Sequence, residues 1–283
     1  MGCAITQPNF ANTGNIIFRI PTPIFGGGLI EAITNTTIQQ NLASDPQGRK
    51  AFFGIKGHVN TNGNDGTVTR FGWKAQNKSL EIFAGEAYNV EMGVTNENFP
   101  NEREEDPKCA TNATPESPSA FNVGNTAPSD ILSFMGFMKY LDQPKPACTG
   151  AACSPSIQNG RNLFVLVGCA TCHTPSLTTG LSYSAALTHQ QANLFSDLAV
   201  HYMGFGLADG ITQGSAGPDE FRTAPLWGVG QRIFFLHDGR TSDLLQAIQA
   251  HSSQNSEADR VVNIFEALSK SQKQDILNFL RSL

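Results

Sequence analysis

The residues with the most chemistry in this chain are Cys169-Ala170-Thr171-Cys172-His173. Two thiols three positions apart, with a histidine directly after the second, are what covalent attachment of a c-type haem requires. Each sulfur can form a thioether to one porphyrin vinyl group, and the turn between them brings His173 to the iron. A thioredoxin-type dithiol would want βαβ surroundings, and half of a zinc site would want a second Cys/His pair at similar spacing. Neither accompanies this motif, so the sequence predicts one covalently bound haem c.

Iron held by His173 needs a sixth ligand or an open site. The other histidines are His58, His189, His201, His237 and His251, and Met203 also lies within reach in sequence. His251 follows Ile248 and Leu244 at helical spacing, so it shares an apolar face. Such a histidine is either a hydrogen-bonded core residue or, here, a metal ligand. His237, in Phe235-Leu236-His237-Asp238-Gly239, falls in a turn, where it can serve a haem propionate, its neighbours or the iron. Met203 would raise the reduction potential relative to a second histidine.

The elements that must carry these groups are legible in outline. Ser156 is expected to open a helix with Ile157, Phe164 and Val167 on one face, delivering the chain to Cys169. Ser271-x-x-Gln274 reads as a capping box for a final helix with Ile276, Phe279, Leu280 and Leu283 inward. Upstream, a helix is expected from Leu29 to about Leu42 and another from about Lys78 to Glu91. A third should follow Ser129-Asp130, with Ile131, Phe134, Met135, Met138 and Leu141 on one face. Ala51 to Trp73 is strand- and turn-like, punctuated by Asn62-Gly63 and Asp65-Gly66. Asp65 is a candidate Ca²⁺ contact, although the spacing is not that of an EF-hand and a solvated turn is the plainer reading. Residues 98–128 form a long polar excursion. The Pro-rich segment from Asp142 to Ser156 reads as a linker, giving an N-terminal partial domain, 1–144, and a haem domain, 145–283. The expected fold is mainly α: cytochrome c-like haem domains with long irregular loops and little β.

Composition narrows the setting. The chain has 283 residues, is 15% charged and carries a formal net charge of -5, which points away from nucleic acid and anionic membranes. No apolar run approaches the ~20 residues that span a bilayer. No secretory signal precedes the polar N-terminal segment, so a haem c reading implies an upstream portion. Six cysteines suit an oxidising compartment. With Cys169 and Cys172 on haem, Cys148 and Cys153 close a short loop that can pair, leaving Cys3 and Cys109; spacing alone allows three connectivities.

Several stretches together resemble the C-terminal haem domain of the bacterial di-haem oxidoreductases, relatives of di-haem cytochrome c peroxidases and MauG-type enzymes. They are Phe221-Arg222-Thr223-Ala224-Pro225-Leu226-Trp227-Gly228, Phe235-Leu236-His237-Asp238-Gly239-Arg240, Gly160-Arg161-x-Leu163-Phe164, and Asp197-Leu198-x-x-His201-x-Met203-Gly204. The resemblance implies His173 and His251 as iron ligands, with Arg222, Trp227 and His237 around the cofactor. Arg70-Phe71-Gly72-Trp73-Lys74-Ala75 and Glu91-Met92-Gly93 resemble the segment that supplies a tryptophan between two haems and a carboxylate to a peroxidatic haem. By position these are Trp73 and Glu91, and a carboxylate so placed can move a proton between peroxide oxygens. Core packing for Trp73 and a solvated helix end for Glu91 are the plainer alternatives.

The chain departs from the family pattern in having one CxxCH rather than two, and an apolar residue (Ile82 or Phe83) where peroxidase relatives carry a glutamine. What the resemblance implies is the haem c-bearing, electron-transferring portion of a periplasmic or extracellular oxidoreductase of cytochrome c peroxidase type. Its electron donor would be a small cytochrome or a cupredoxin. The rival is a mono-haem electron-transfer cytochrome without catalytic activity.

Overall fold

Why the chain folds around Cys169-His173 is clearest at its C-terminal end. In a computed structural model, which describes residues 3, 9 and 16–283 except 105, 111 and 123, helix α6 (Pro155–Val167) packs along helix α9 (Lys270–Arg281) in the most extensive helix pair of the molecule. Gly160 makes this approach possible, because a methyl group there would overlap the Asp275 main-chain carbonyl. Asp275 in turn binds the Ser156 hydroxyl and the Asn159 amide of α6, so the crossing is also pinned by polar contacts.

Both helices start slightly earlier than the sequence suggests. Ser154, not Ser156, caps α6, with Pro155 in the first turn, where its missing N–H costs nothing. The capping box of α9 is Ser269/Gln272 rather than Ser271/Gln274, since both reciprocal bonds form at the earlier pair. α8 (Asp259–Glu266) and α7 (Leu244–Gln249) complete this part. Leu163, Phe164, Val167, Phe265, Ile276, Phe279 and Leu280 form its core, with Phe53 and Ile55 contributed from far upstream.

The first half is built on α1 (Gly27–Ala32), α4 (Leu80–Met92) and α5 (Asp130–Tyr140). The single helix expected over Leu29–Leu42 is two, α1 and α2 (Asn35–Ala43). Ile33 turns extended, and the Thr34 hydroxyl accepts the Thr37 N–H, starting a second helix where one would otherwise continue. In α5 only Ile131 and Met138 are fully buried, whereas Phe134 is 46% exposed and packs edge-on against Tyr88. Leu29, Ile30, Leu80 and Ile131 share a core with Leu177, Leu194, Leu198 and Trp227. Both cores thus draw residues from either side of position 144.

Residues 45–77 contain α3 (Arg49–Phe53) and then turns joined by isolated bridges. Strands are few and short. β1 (Ala120–Asn122) pairs with β2 (Asn125–Ala127), and β3 (Leu177–Thr178) pairs with β4 (Gln191–Ala192), both antiparallel. β5 (Val200–Tyr202) and β6 (Glu220–Arg222) matter most, being antiparallel with His201 opposite Phe221 and Val200 opposite Arg222. Main-chain bonds extend this pair to the upstream segment, His58 with Val200 and Arg222 N–H to the Trp73 carbonyl at 2.8 Å. Disulfides join Cys3 to Cys109 and Cys148 to Cys153. The protein is mainly α, and no helix among the described residues is long and apolar enough to cross a membrane.

Candidate haem-binding site

Cys169 and Cys172 are the cysteines left unpaired. α6 ends at Gly168, whose φ of 119° and contact with the Phe53 ring leave no room for a side chain. Cys169–Thr171 then form a 3₁₀ turn, and the His173 N–H bonds back to the Cys169 carbonyl at 2.9 Å. The next tie is to a distant segment, the Asp197 N–H to the Cys172 carbonyl at 2.9 Å. Local turn and long-range anchor together present both sulfurs and the imidazole on one side.

That side is a cavity of about 210 Å³, lined mainly by apolar groups. Cys169, Cys172 and His173 form part of its wall, with Phe164, Leu280, Val261 and Ile248 around them. His251, Met203, His237, Trp73 and Arg222 line it too. Burial raises the Cys169 thiol to about 12, so it is no thiolate at neutral pH, and a reactive dithiol of thioredoxin type is disfavoured. Burial also takes His173 down to about 4 against the opposing pull of its bond to Phe195, so its ring is neutral, the form that ligates a metal.

The two histidines are held alike. His173 Nδ1–H donates to the Phe195 carbonyl at 2.9 Å, and His251 Nδ1–H donates to the Ala247 carbonyl at 2.7 Å. A carbonyl only accepts, so in each ring the proton sits on Nδ1 and the Nε2 lone pair is free. A backbone carbonyl on the far nitrogen is the usual support of a metal-bound histidine. His251 lies just beyond α7, and burial lowers its pKa as well.

His237 stacks on Phe221, ring centres 4.2 Å apart, and meets Trp73 edge-on at 6.3 Å. Trp73 is buried, and its indole N–H donates to the Ile20 carbonyl at 2.7 Å. Lys74 Nζ lies 4.0 Å from the centre of the Phe221 ring. The Phe221 ring thus touches both His237 and Lys74. Lys74 is fully buried and donates to the Gly217 and Glu220 carbonyls at 2.8 Å each.

Not every candidate meets at the cavity. Trp227 borders a smaller hollow beside it, which shares Trp73 and Arg222 with the main cavity. Glu91 is exposed near the end of α4 and lines neither space. Asp65 accepts the Thr67 N–H through one carboxylate oxygen and pairs with Lys78 through the other, so both are engaged within a surface turn.

Sequence reasoning missed a buried charge network behind Cys172. His201 is 2% exposed and bonds Asp197 through Nε2 (2.9 Å) and Glu257 through Nδ1 (2.8 Å), with the Cys172 sulfur 3.8 Å from Nδ1. Cys172, Asp197 and His201 converge closely enough to suggest a metal. Both ring nitrogens of His201 already face carboxylates, however, and a doubly bonded imidazolium has no lone pair to give. Burial opposes the charge, but Cys172 and Asp197 outweigh it, and the pKa lies well above the ordinary histidine value. Glu257 is 56 residues away from His201, and no sequence signal links them.

Arg222 supplies the test of whether a haem suits this cavity. It is 93% buried by area, donates from Nε to the Gly72 carbonyl at 2.8 Å, and leaves Nη1 buried without a partner. An unpaired buried guanidinium nitrogen calls for an anion, and a haem brings carboxylates. The cysteine pair, two Nε2 lone pairs and this donor on one apolar cavity fit a haem c.

The family model described as "Di-haem oxidoreductase, putative peroxidase" matches residues 5–283. The chain belongs to that family. No curated protein matches this chain. Among solved structures it is similar to a hydrazine synthase of Kuenenia stuttgartiensis, at 15% identity and a TM-score of 0.44, covering 100% of this chain and 98% of that one. It is also similar to a MauG-like protein associated with microbial copper homeostasis, at 14% identity and a TM-score of 0.45, covering 98% and 95%.

Proposed function

We propose that this di-haem oxidoreductase chain is a haem c-binding, electron-transferring part of a periplasmic enzyme of cytochrome c peroxidase type. Cys169 and Cys172 would hold one haem through thioethers and His173 and His251 would ligate its iron, with Arg222 and His237 lining the same cavity and Trp227 the hollow beside it. The observation that carries this reading is the pairing of His173 and His251 on one apolar cavity, each with Nδ1 tied to a main-chain carbonyl. A bound haem supplies one-electron chemistry, with a potential tuned by ligands, burial and hydrogen bonds. The chain's own residues hold the imidazoles in the ligating tautomer, exclude water and place Trp73 and His237 on the wall.

In this reading residues 145–283 hold the cytochrome c-like haem domain, and residues 1–144 pack around it as the remnant of a first haem domain. The two disulfides support an oxidising compartment. The electron donor is a small cytochrome or a cupredoxin.

The exposure of Glu91, away from the cavity, favours a second reading: a mono-haem electron-transfer cytochrome without catalytic activity. One experiment separates them from each other and from error. The protein is matured in a host that attaches haem c, and covalent haem per chain, spin state and peroxide turnover are measured. One low-spin haem, lost in Cys169→Ala, supports haem binding. A second CxxCH in the upstream reading frame, with peroxide turnover of the two-haem protein lost in Glu91→Gln, supports the peroxidase-type reading; one haem and no turnover in the product of the whole reading frame supports the cytochrome. No covalent haem despite competent maturation overturns both.

A further inference from the structure

We propose that Arg222 and Arg232 form a paired carboxylate site in the cavity wall, each taking one of the two propionates of the bound haem. This rests on the haem reading above. Arg232 follows the 3₁₀ turn Val229–Gln231, its N–H bonded to the Val229 carbonyl at 3.2 Å, and its side chain is half-buried. Like Arg222 it borders both the main cavity and the small hollow beside it.

The two guanidinium groups feel each other. Burial, and after it the charge of Arg232, lower the pKa of Arg222 to about 10. Among the described residues no carboxylate forms an ion pair with either. Asp197, whose charge favours Arg222, is already bonded to His201 and the Ala199 N–H. Two like charges bordering the same cavity and hollow, one with a buried N–H to spare, are unfavourable until anions arrive. A planar guanidinium fork matches a carboxylate better than an ammonium does. Two forks match two carboxylates in both number and charge.

The test uses the full chain with haem attached, comparing wild type, Arg232→Gln and Arg232→Lys by covalent haem count and spectroelectrochemical titration. Removing a cation beside the haem favours the ferric state, so Arg232→Gln should lower the midpoint potential, while Arg232→Lys stays close to wild type. An Arg232→Gln protein with one haem and an unchanged potential overturns the inference. So does an Arg232→Lys protein that falls as far as Arg232→Gln, because packing rather than charge would then be responsible. Should Arg232→Gln not mature, the propionate bending modes in the resonance Raman spectrum of Arg232→Lys decide, displaced modes supporting the inference and unmoved ones overturning it. A wild-type chain that carries no haem overturns the haem reading and this inference together, an outcome distinct from a haem-loaded but insensitive Arg232→Gln.

Discussion

His173 and His251, 78 positions apart in the chain (251 − 173), line one cavity, and each is fixed in the same tautomer by a main-chain carbonyl, of Phe195 and Ala247 respectively. The proton therefore sits on Nδ1 in both rings, and each Nε2 keeps its lone pair. His251→Ala should convert a low-spin haem to a high-spin one that binds cyanide or CO, seen directly in the absorption spectrum. A low-spin spectrum with a methionine–iron charge-transfer band would show Met203 taking the place, and Met203→Ala in the same background should abolish it. An unchanged bis-histidine spectrum would remove His251 from the iron.

The α6–α9 crossing depends on Gly160. Alanine is the better helix former by about 1 kcal/mol, yet its methyl group would overlap the Asp275 carbonyl, which is main chain and cannot swing aside. Overpacking of this kind costs about 1–3 kcal/mol or more. Gly160→Ala should therefore lower the denaturation midpoint, with a net loss of roughly 2 kcal/mol in chemical unfolding. A gain in stability would mean that the helices can part without penalty.

The Asp197–His201–Glu257 network predicts how stability depends on pH. Folding raises the pKa of His201, so its contribution is full below the unfolded value and is lost as pH rises through the folded one. Asp197 and Glu257 lie below ordinary carboxylate values: burial works against this, and His201 is the chief favourable partner of each. Their contribution holds above the unfolded value and is lost as pH falls through the folded one. His201→Gln leaves the buried Asp197 and the part-buried Glu257 without their shared cation and should cost about 3 kcal/mol near neutrality. The melting-temperature gap from wild type should be widest there and close toward both acid and alkali. A gap independent of pH would reduce the network to packing.

Lys74 stands behind the cavity wall rather than in it. It is fully buried and reaches two carbonyls, the Asp209 carboxylate at 3.3 Å and the Phe221 ring. Lys74→Met keeps the volume but strands the carbonyls, and should cost about 3 kcal/mol. Because Phe221 also stacks on His237, the absorption maximum of the haem-loaded protein should shift in the same variant. Loss of stability with an unmoved spectrum would separate the stack from the site.

Local chemistry was legible in the sequence alone: the CxxCH motif, the helices on either side of it, the turn dipeptides and the mainly α character. These depend on near neighbours in the chain, where spacing and capping act directly. Boundaries slipped by one or two residues, as at Ser154 and Ser269, because neighbouring serines offer nearly equivalent caps. Residue chemistry marked His251, Met203 and His237 as candidates, and the family resemblance put His251 first among them. Only tertiary structure decided that all three face one cavity, that Glu91 lies outside it, that Arg232 joins Arg222, and that His201 meets Glu257. Such meetings join residues tens of positions apart. They are fixed by how the β5–β6 pair, α7 and the upstream Trp73 segment pack together, which no local pattern encodes.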